Sequence, residues 1–448
     1  MKGRFLLGVT LAIVAVGSNA LAQIAPNPCP ERPVWLDMPK TVPPNDRVEI
    51  SEVEGVPVAV LLPRSYATSG RRYPTVYLHH GGLSWYGEWL TLTDLIDFTA
   101  ALPEEHQAIV VMPDGGAGVS TDFNPGPSAW ERFHTTTLIE AIDARYRTIP
   151  DREHRAIAGI SAGGFRTLFE ASRHPDLFAA AGSISGWIDS GVTAPGLVWM
   201  AAADVFHGVC SDGPGGTGMR PAKDPVTGEV WFHNSNPIDL TTNIRDRSVY
   251  AGVGTGVPCS PGEVAEYGDV YIAAEPTLRE QLTRYVPALA DAGVEKTIEF
   301  RDCGIHSFRY FEQYLHNFWA VMVEAFDRTP PASFDYRNAD QELSVWDWTF
   351  TADPSRAPEF LEIADASASG VTLTGSGVET VMTAPYFAPG EIVTLTNAVE
   401  PTVVADPDGR ITFHVDLGPA HKVQQYTLPA RALELLGNYW TTRTVMFS

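Results

Sequence analysis

The sequence predicts an α/β fold, a mostly parallel sheet covered by helices on both faces, followed by a small β-sandwich. Three observations carry this. Between about residues 48 and 328, β-branched and aromatic runs alternate with stretches of helical spacing, which implies a parallel sheet buried on both sides. Within that span, Ala156-Ile157-Ala158 passes straight into Gly159-Ile160-Ser161-Ala162-Gly163 and then into Phe165, Leu168 and Phe169 at helical spacing. That is the order of a strand, a sharp turn and a helix. From about Thr329-Pro330-Pro331 the pattern changes to short alternating strands between Gly, Pro and Asp turns.

Taken in order, residues 1–22 read as a signal peptide. Lys2 and Arg4 precede an apolar run from Phe5 to Val16, and Ala20-Leu21-Ala22 has the small-x-small form of a cleavage site. The apolar run is short for a membrane span, and no later stretch is long enough, so the expectation is a secreted chain without a span in its mature form. Residues 23–47 form an N-terminal extension, 48–330 a catalytic domain and 331–448 the β-sandwich domain. A length of 448 with 44% hydrophobic residues suffices for both. The net charge of -23 opposes binding to nucleic acid or anionic lipid. The four cysteines, Cys29, Cys210, Cys259 and Cys303, permit three pairings. Cys210 with Cys259 is preferred, because the two bracket a Gly- and Pro-rich segment, and Cys29 with Cys303 follows. No Cys and His cluster suggests a metal, and no cofactor is expected.

The first strands alternate around Val56, Val58, Val60 and Leu62. The next, Tyr73 to Leu78, ends in His79-His80-Gly81-Gly82-Leu83, where paired glycines leave backbone N–H groups facing the cleft. Such groups can hold an oxyanion. The predicted donors are the N–H of Ala162 and one from Gly82 or Leu83. His79 and His80 read as structural hydrogen-bonding groups rather than bases or metal ligands. A further strand, Ala108 to Pro113, precedes a helix that opens at Trp130-Glu131-Arg132-Phe133. Ser161 is the candidate nucleophile, since a serine hydroxyl needs an exposed turn and a base within reach.

Trp130-Glu131-Arg132-Phe133, Gly159-Ile160-Ser161-Ala162-Gly163 and His174-Pro175-Asp176-Leu177-Phe178 through Ser185-Gly186 resemble the bacterial esterase family that includes the antigen 85 mycolyltransferases, esterase D and feruloyl esterases. The resemblance covers about residues 50 to 328. It implies an α/β-hydrolase fold with a Ser, His and acid triad, acting on an ester substrate, with polymeric or cell-wall esters among the options. Gly304-Ile305-His306-Ser307-Phe308 lies after a late strand and resembles the His-Ser-Trp of the mycolyltransferases, so His306 is the expected base. His316 reads as a packed or surface residue. For the acid, Glu275 resembles the position of the family's glutamate, with Asp269 the rival and Asp302 a weaker one. His79-His80-Gly81-Gly82 departs from the acidic residue the mycolyltransferases carry near that loop, which favours a carboxylesterase over an acyltransferase. A non-enzymatic binding protein on the same scaffold is the third reading. The long segment from Trp187 to Arg247 covers the cleft in this reading. Asp406 and Asp408 read as turn residues, not calcium ligands.

Overall fold

The computed structural model describes residues 41–82, 84–115, 129–189, 229–263, 270–326, 328–437 and 439–448. Leu83, Asp269, Cys29, Cys210, residues 1–22 and most of the Trp187–Arg247 segment therefore lie outside the described residues.

An eight-stranded sheet is built from β1 (Val48–Val53), β2 (Val56–Leu61), β3 (Thr75–His79), β4 (Ile109–Pro113), β5 (Arg155–Ile160), β6 (Ala180–Ile184), β7 (Ser248–Val253) and β8 (Glu295–Phe300), in the order β1-β2-β4-β3-β5-β6-β7-β8. β1 and β2 form an antiparallel hairpin, and β2 runs antiparallel to β4. From β4 to β8 every pairing is parallel. The hairpin turns at Glu54 and Gly55, both with positive φ, as a two-residue turn between twisted strands requires. β3 to β7 are buried along their whole length, which explains why they read as continuous apolar runs without alternation.

Alternate residues of these strands feed two separate cores. On one face Tyr77, Val111, Ile157 and Ala251 pack against Leu138 and Ile142, against Leu168, and against Leu278 and Leu282. On the other, Val76, Leu78, Val110 and Ala158 meet Trp89 and the aromatic stripe Phe311, Tyr314, Phe318 and Trp319. These contacts define the covering helices α1 (Glu88–Leu92), α2 (Leu138–Arg145), α3 (Ala162–Arg173), α4 (Val270–Asp291) and α5 (Phe308–Phe326). Burial of each such large apolar side chain contributes about 2–3 kcal/mol. No described helix is long and apolar enough to cross a membrane.

Beyond Pro331 the strands are antiparallel and form two further sheets. One is four-stranded, β10 (Glu342–Val345), β11 (Trp348–Thr351), β14 (Val378–Met382) and β17 (Thr412–Asp416). The other is six-stranded and contains β9 (Phe334–Asn338), β12 (Leu361–Ser367), β13 (Gly370–Gly375), β15 (Ile392–Thr396), β16 (Thr402–Val404) and β18 (Thr441–Phe447). Inner residues of both, among them Trp348, Phe350, Leu373 and Phe413, share one core. The Asp406-Pro407-Asp408-Gly409 signal does form a tight turn. Asp406 Oδ1 accepts from the N–H groups of Asp408 and Arg410, and Gly409 has φ +81°. The flanking strands do not pair with each other, however: β16 pairs with β15 and β17 with β14, so the turn carries the chain from one sheet to the other.

Among the described residues a disulfide joins Cys259 to Cys303, with a Cα separation of 5.2 Å. This corrects the expected pairings of Cys210 with Cys259 and Cys29 with Cys303. The Gly- and Pro-rich segment between Cys210 and Cys259 was the wrong guide: β7 and β8 are neighbouring parallel strands, and the loops that follow them bring Cys259 and Cys303 together at the same end of the sheet.

The two parts of the chain meet on Arg173, the last residue of α3. Its guanidinium contacts Glu131 Oε1 at 2.9 Å, Asp340 Oδ2 at 2.6 Å and Asn338 Oδ1 at 3.3 Å, while Tyr336 Oη donates to its carbonyl at 2.7 Å. Burial would raise Glu131, but the charges of Arg173 and His174 outweigh it and hold this carboxyl at about 2. Removing one partner from a buried ion pair leaves the other charge uncompensated. Asp340→Ala is therefore expected to lower the unfolding free energy by about 3–5 kcal/mol, read from urea unfolding of the full chain. A loss below about 1 kcal/mol would put this contact in the class of exposed pairs.

Candidate functional site

The site forms where the parallel strands end. β5 is wholly buried up to Ile160, and the chain then reverses through Ser161 at φ 54° and ψ -118° before α3 begins at Ala162. A side chain other than glycine rarely adopts that φ, and such strain persists only where surroundings hold it. Here both backbone groups of Ser161 are engaged. Its N–H donates to Ile184 O at 3.0 Å, and its carbonyl accepts from Trp187 N at 3.2 Å and Gly164 N at 3.0 Å. The glycines allow the crossing to be this close. A Cβ on Gly159 would stand 2.4 Å from Gly163 O, and one on Gly163 would stand 2.4 Å from His80 O. Ser161 itself is partly exposed. Ala162 N–H is the first of the orphan donors at the N-terminus of α3.

His306 sits in the loop between β8 and α5, with its ring edge-on to Phe311. Its Nδ1 is 2.7 Å from Glu275 Oε1. Glu275 lies on α4 and is fully buried, and its other oxygen accepts from Gly254 N at 2.6 Å. A carboxylate acceptor keeps the proton on Nδ1 and leaves the lone pair of the neutral ring on Nε2. The loops after β7 and β8 are fastened backbone to backbone: Gly304 O accepts from Thr255 N at 3.1 Å and Gly256 N at 2.8 Å. A Cβ on Gly254 would lie 2.4 Å from Gly304 O. The Cys259–Cys303 bond closes the same pair of loops. Asp302 is exposed, and His316 is bonded to Asp94 and stacked on Phe98.

Thus the hydrogen bonds join His306 to Glu275, while Ser161 follows a strand of the same parallel sheet and leaves it at the same end. Gly82 is exposed at the end of the β3 loop.

Beneath that loop lies a buried polar group that the sequence pattern does not reveal. Glu170 of α3 takes His79 Nε2 at 2.9 Å and His134 Nδ1 at 2.7 Å, and all three side chains are buried. Two ligands at about 2.0 Å from a tetrahedral zinc would stand about 3.3 Å apart. The observed spacings are those of hydrogen bonds, so the group acts as a clamp between β3, the helical turn at Phe133–Thr137 and α3. Burial lowers His79 to about 4, against the opposing pull of Glu170, which makes it a neutral donor. Burial also opposes charge on Glu170, but His79 and His134 outweigh it and keep that carboxyl below the usual range. The available signal was the Arg166/Glu170 pair, one helical turn apart on the apolar face of α3.

Comparison with known proteins adds to this geometry. "Esterase Rv1288" from Mycobacterium tuberculosis is 43% identical over 209 residues, which cover 44% of this chain and 42% of that protein. The chain thus spans less than half the length of that relative. "Diacylglycerol acyltransferase/mycolyltransferase Ag85A" from Mycobacterium leprae is 26% identical over 237 residues, covering 50% of this chain and 67% of that protein. Among solved structures, Mycobacterium tuberculosis MPT51 aligns with a TM-score of 0.46 at 20% identity, over 63% of this chain and 99% of that one. The Esterase family model, described as "Putative esterase", matches residues 54–319, more than half of the chain. With its mostly parallel central sheet and its strand–turn–helix at Ser161, the chain belongs to this family of α/β-hydrolase esterases.

Proposed function

We propose that the chain is an exported serine carboxylesterase working through an acyl-enzyme. The observation that carries this reading is the 2.7 Å bond from His306 to the buried Glu275, at the same end of the sheet as the strained turn at Ser161. Ser161 Oγ attacks the ester carbonyl while His306 Nε2 takes its proton, and Glu275 holds the ring and stabilises the imidazolium. Charge on the carbonyl oxygen is met by the N–H of Ala162 and that of Gly82, with Leu83 the alternative donor. Each such donor contributes about 3 kcal/mol. Collapse of the tetrahedral species breaks the ester C–O bond, and the alcohol leaves with the proton from His306. Water, deprotonated by the same nitrogen, then releases the acid and restores the serine.

Residues 1–22 serve in this reading as the export signal, 48–330 as the catalytic domain and 331–448 as the C-terminal domain. A disulfide at the site supports an oxidising compartment. The substrate is a carboxylic ester, with polymeric or cell-wall esters as the class to test first. The similarity to Ag85A favours a second reading in which an alcohol, not water, accepts the acyl group.

A panel of p-nitrophenyl esters of increasing chain length is expected to show turnover and fluorophosphonate labelling, both lost in Ser161→Ala, with kcat falling roughly a millionfold. Turnover that survives in Ser161→Ala sinks the serine reading. Acylated trehalose in preference to free acid would move the assignment to a transferase. Separately, Glu275→Gln is expected to lower kcat by about 10³- to 10⁴-fold with the fold intact, because the ring loses the anion that fixes its tautomer. Near-normal kcat in that variant would transfer the acid role to Asp269.

A further inference from the structure

The β3 loop is held from both sides, and one of its anchors is a buried carboxylate with no place in the chemistry above. On one side the carbonyls of His79 and His80 press against Gly163 of α3, where an added Cβ would stand 2.8 and 2.4 Å from them. On the other side α1 supplies two bonds from adjacent residues. Trp89 Nε1 donates to His79 O at 3.1 Å, and Glu88 Oε1 accepts from Gly81 N at 3.0 Å. His80 Nδ1 lies 2.6 Å from Gly81 O, and its Nε2 accepts from Gly115 N at 2.9 Å, so the ring carries its proton on Nδ1.

The consequence follows from peptide planarity. A trans peptide fixes the N–H of one residue opposite the carbonyl of the residue before it. The bond from His80 to Gly81 O therefore orients the peptide whose N–H belongs to Gly82. The bond from Gly81 N to Glu88 orients the preceding peptide. Gly81 lies between the two planes with no side chain to restrict its torsions, so hydrogen bonds hold them: Gly81 N donates to Glu88, and Gly81 O accepts from His80 Nδ1 and from Ser84 N, the last at 3.3 Å. Loss of the Glu88 contact leaves the first plane held only through the packing of His80 O against Gly163, with its N–H end without an acceptor, so the second plane is less tightly aimed.

We infer that Glu88 is a positioning residue for the oxyanion hole, aiming the Gly82 N–H through the Gly81 peptide. The inference rests on the serine-esterase reading above and extends it to a residue that touches no substrate. A neutral residue would avoid the cost of burying a charge at a position only 1% exposed. What a carboxylate adds there is a stronger, charge-assisted acceptor for one backbone donor. Arg166, fully buried on α3, supplies opposing charge, and it ties the carboxylate bonded to Gly81 electrostatically to the helix that begins at Ala162. Burial pushes Glu88 up to about 7, against its hydrogen bonds and the charge of Arg166.

The test uses the full chain at pH 8 and a p-nitrophenyl ester that it turns over, with a trifluoromethyl ketone as a mimic of the tetrahedral intermediate. Glu88→Ala is expected to lower kcat by about 10- to 100-fold, with KM within about threefold, and to weaken the ketone by the same factor as kcat/KM. Glu88→Gln keeps an acceptor oxygen, so it should recover to within about fivefold of wild type. Should Glu88→Ala not fold, Glu88→Asp, which draws the acceptor back by one methylene, is expected to lose kcat and ketone affinity together without a matching drop in Tm. Wild-type kcat and ketone affinity in a folded Ala or Asp variant overturn the assignment. So does a loss in the Gln variant equal to that in the Ala variant and tracking Tm alone. The parent reading is scored by Ser161→Ala in the same assay: a dead Ser161→Ala beside a wild-type-like Glu88→Ala removes only the role of Glu88, whereas an active Ser161→Ala removes both.

Discussion

The close crossing of β5 and α3 over Gly159 and Gly163 is the constraint on which the rest of the site depends. With a Cβ at either glycine, strand and helix could not cross this closely on the two sides of Ser161. Neither glycine tolerates a methyl group, because the atoms a Cβ would meet are backbone carbonyls that cannot rotate away. The same approach presses the elbow against the His79 and His80 carbonyls. One steric fact thus fixes Ser161 and the loop after β3 in a single packing event.

Such packing is cheap where the surfaces are apolar and expensive where they are not, and here the surface behind the elbow is polar. Glu170, His79, His134, Arg166 and Glu88 are all buried within reach of α3 or the loop beside it. Each ionised group taken out of water costs several kcal/mol unless it is paired and hydrogen-bonded. Glu170 recovers part of that through two ring donors, and Glu88 through a backbone N–H. An apolar set of equal volume would pack more tightly without directional bonds. A polar set ties specific atoms on β3, α1 and α3 to each other, and for the proposed oxyanion hole the direction of those atoms matters more than the depth of the packing.

How far this was legible in the sequence depends on the range of the interactions. The strands and the turn at Ser161 were readable because runs such as Ala156-Ile157-Ala158 and the Gly-x-Ser-x-Gly spacing are local. His306 and Glu275 came from likeness to a family, and their mutual bond is a long-range fact joining α4 to the loop after β8. The disulfide was misread for the same reason: Cys259 and Cys303 are 44 residues apart and are neighbours only because β7 and β8 pair. Glu88 gave no signal. Between Gly87 and Trp89 it has the look of an ordinary exposed residue in the first turn of a short helix, and only the fold of the β3 loop over it makes it buried. In the C-terminal part β13, β15 and β17 showed alternation. β9 to β11 alternate as well but are only five, four and four residues long, and Asp340, in the turn after β9, is used at the contact with Arg173.

That contact changes what the C-terminal sheets mean for the site. Arg173 closes α3, where the helix dipole favours a cation, and its guanidinium is shared between Glu131 from the Trp-Glu-Arg-Phe segment and Asp340 from the turn after β9. Tyr336 satisfies the Arg173 carbonyl, one of the acceptors a helix end leaves unpaired. Nearby, Val230 and Leu240 pack against Ala339 and Phe360. A module attached as a spacer needs no buried ion pair with the helix that follows Ser161. This one grips α3 at the end opposite Ser161, so the helix is clamped by glycine packing at its N-terminus and by Arg173 at its C-terminus. A helix held at both ends links the turn at Ser161 to the C-terminal sheets through one buried ion pair and one backbone acceptor.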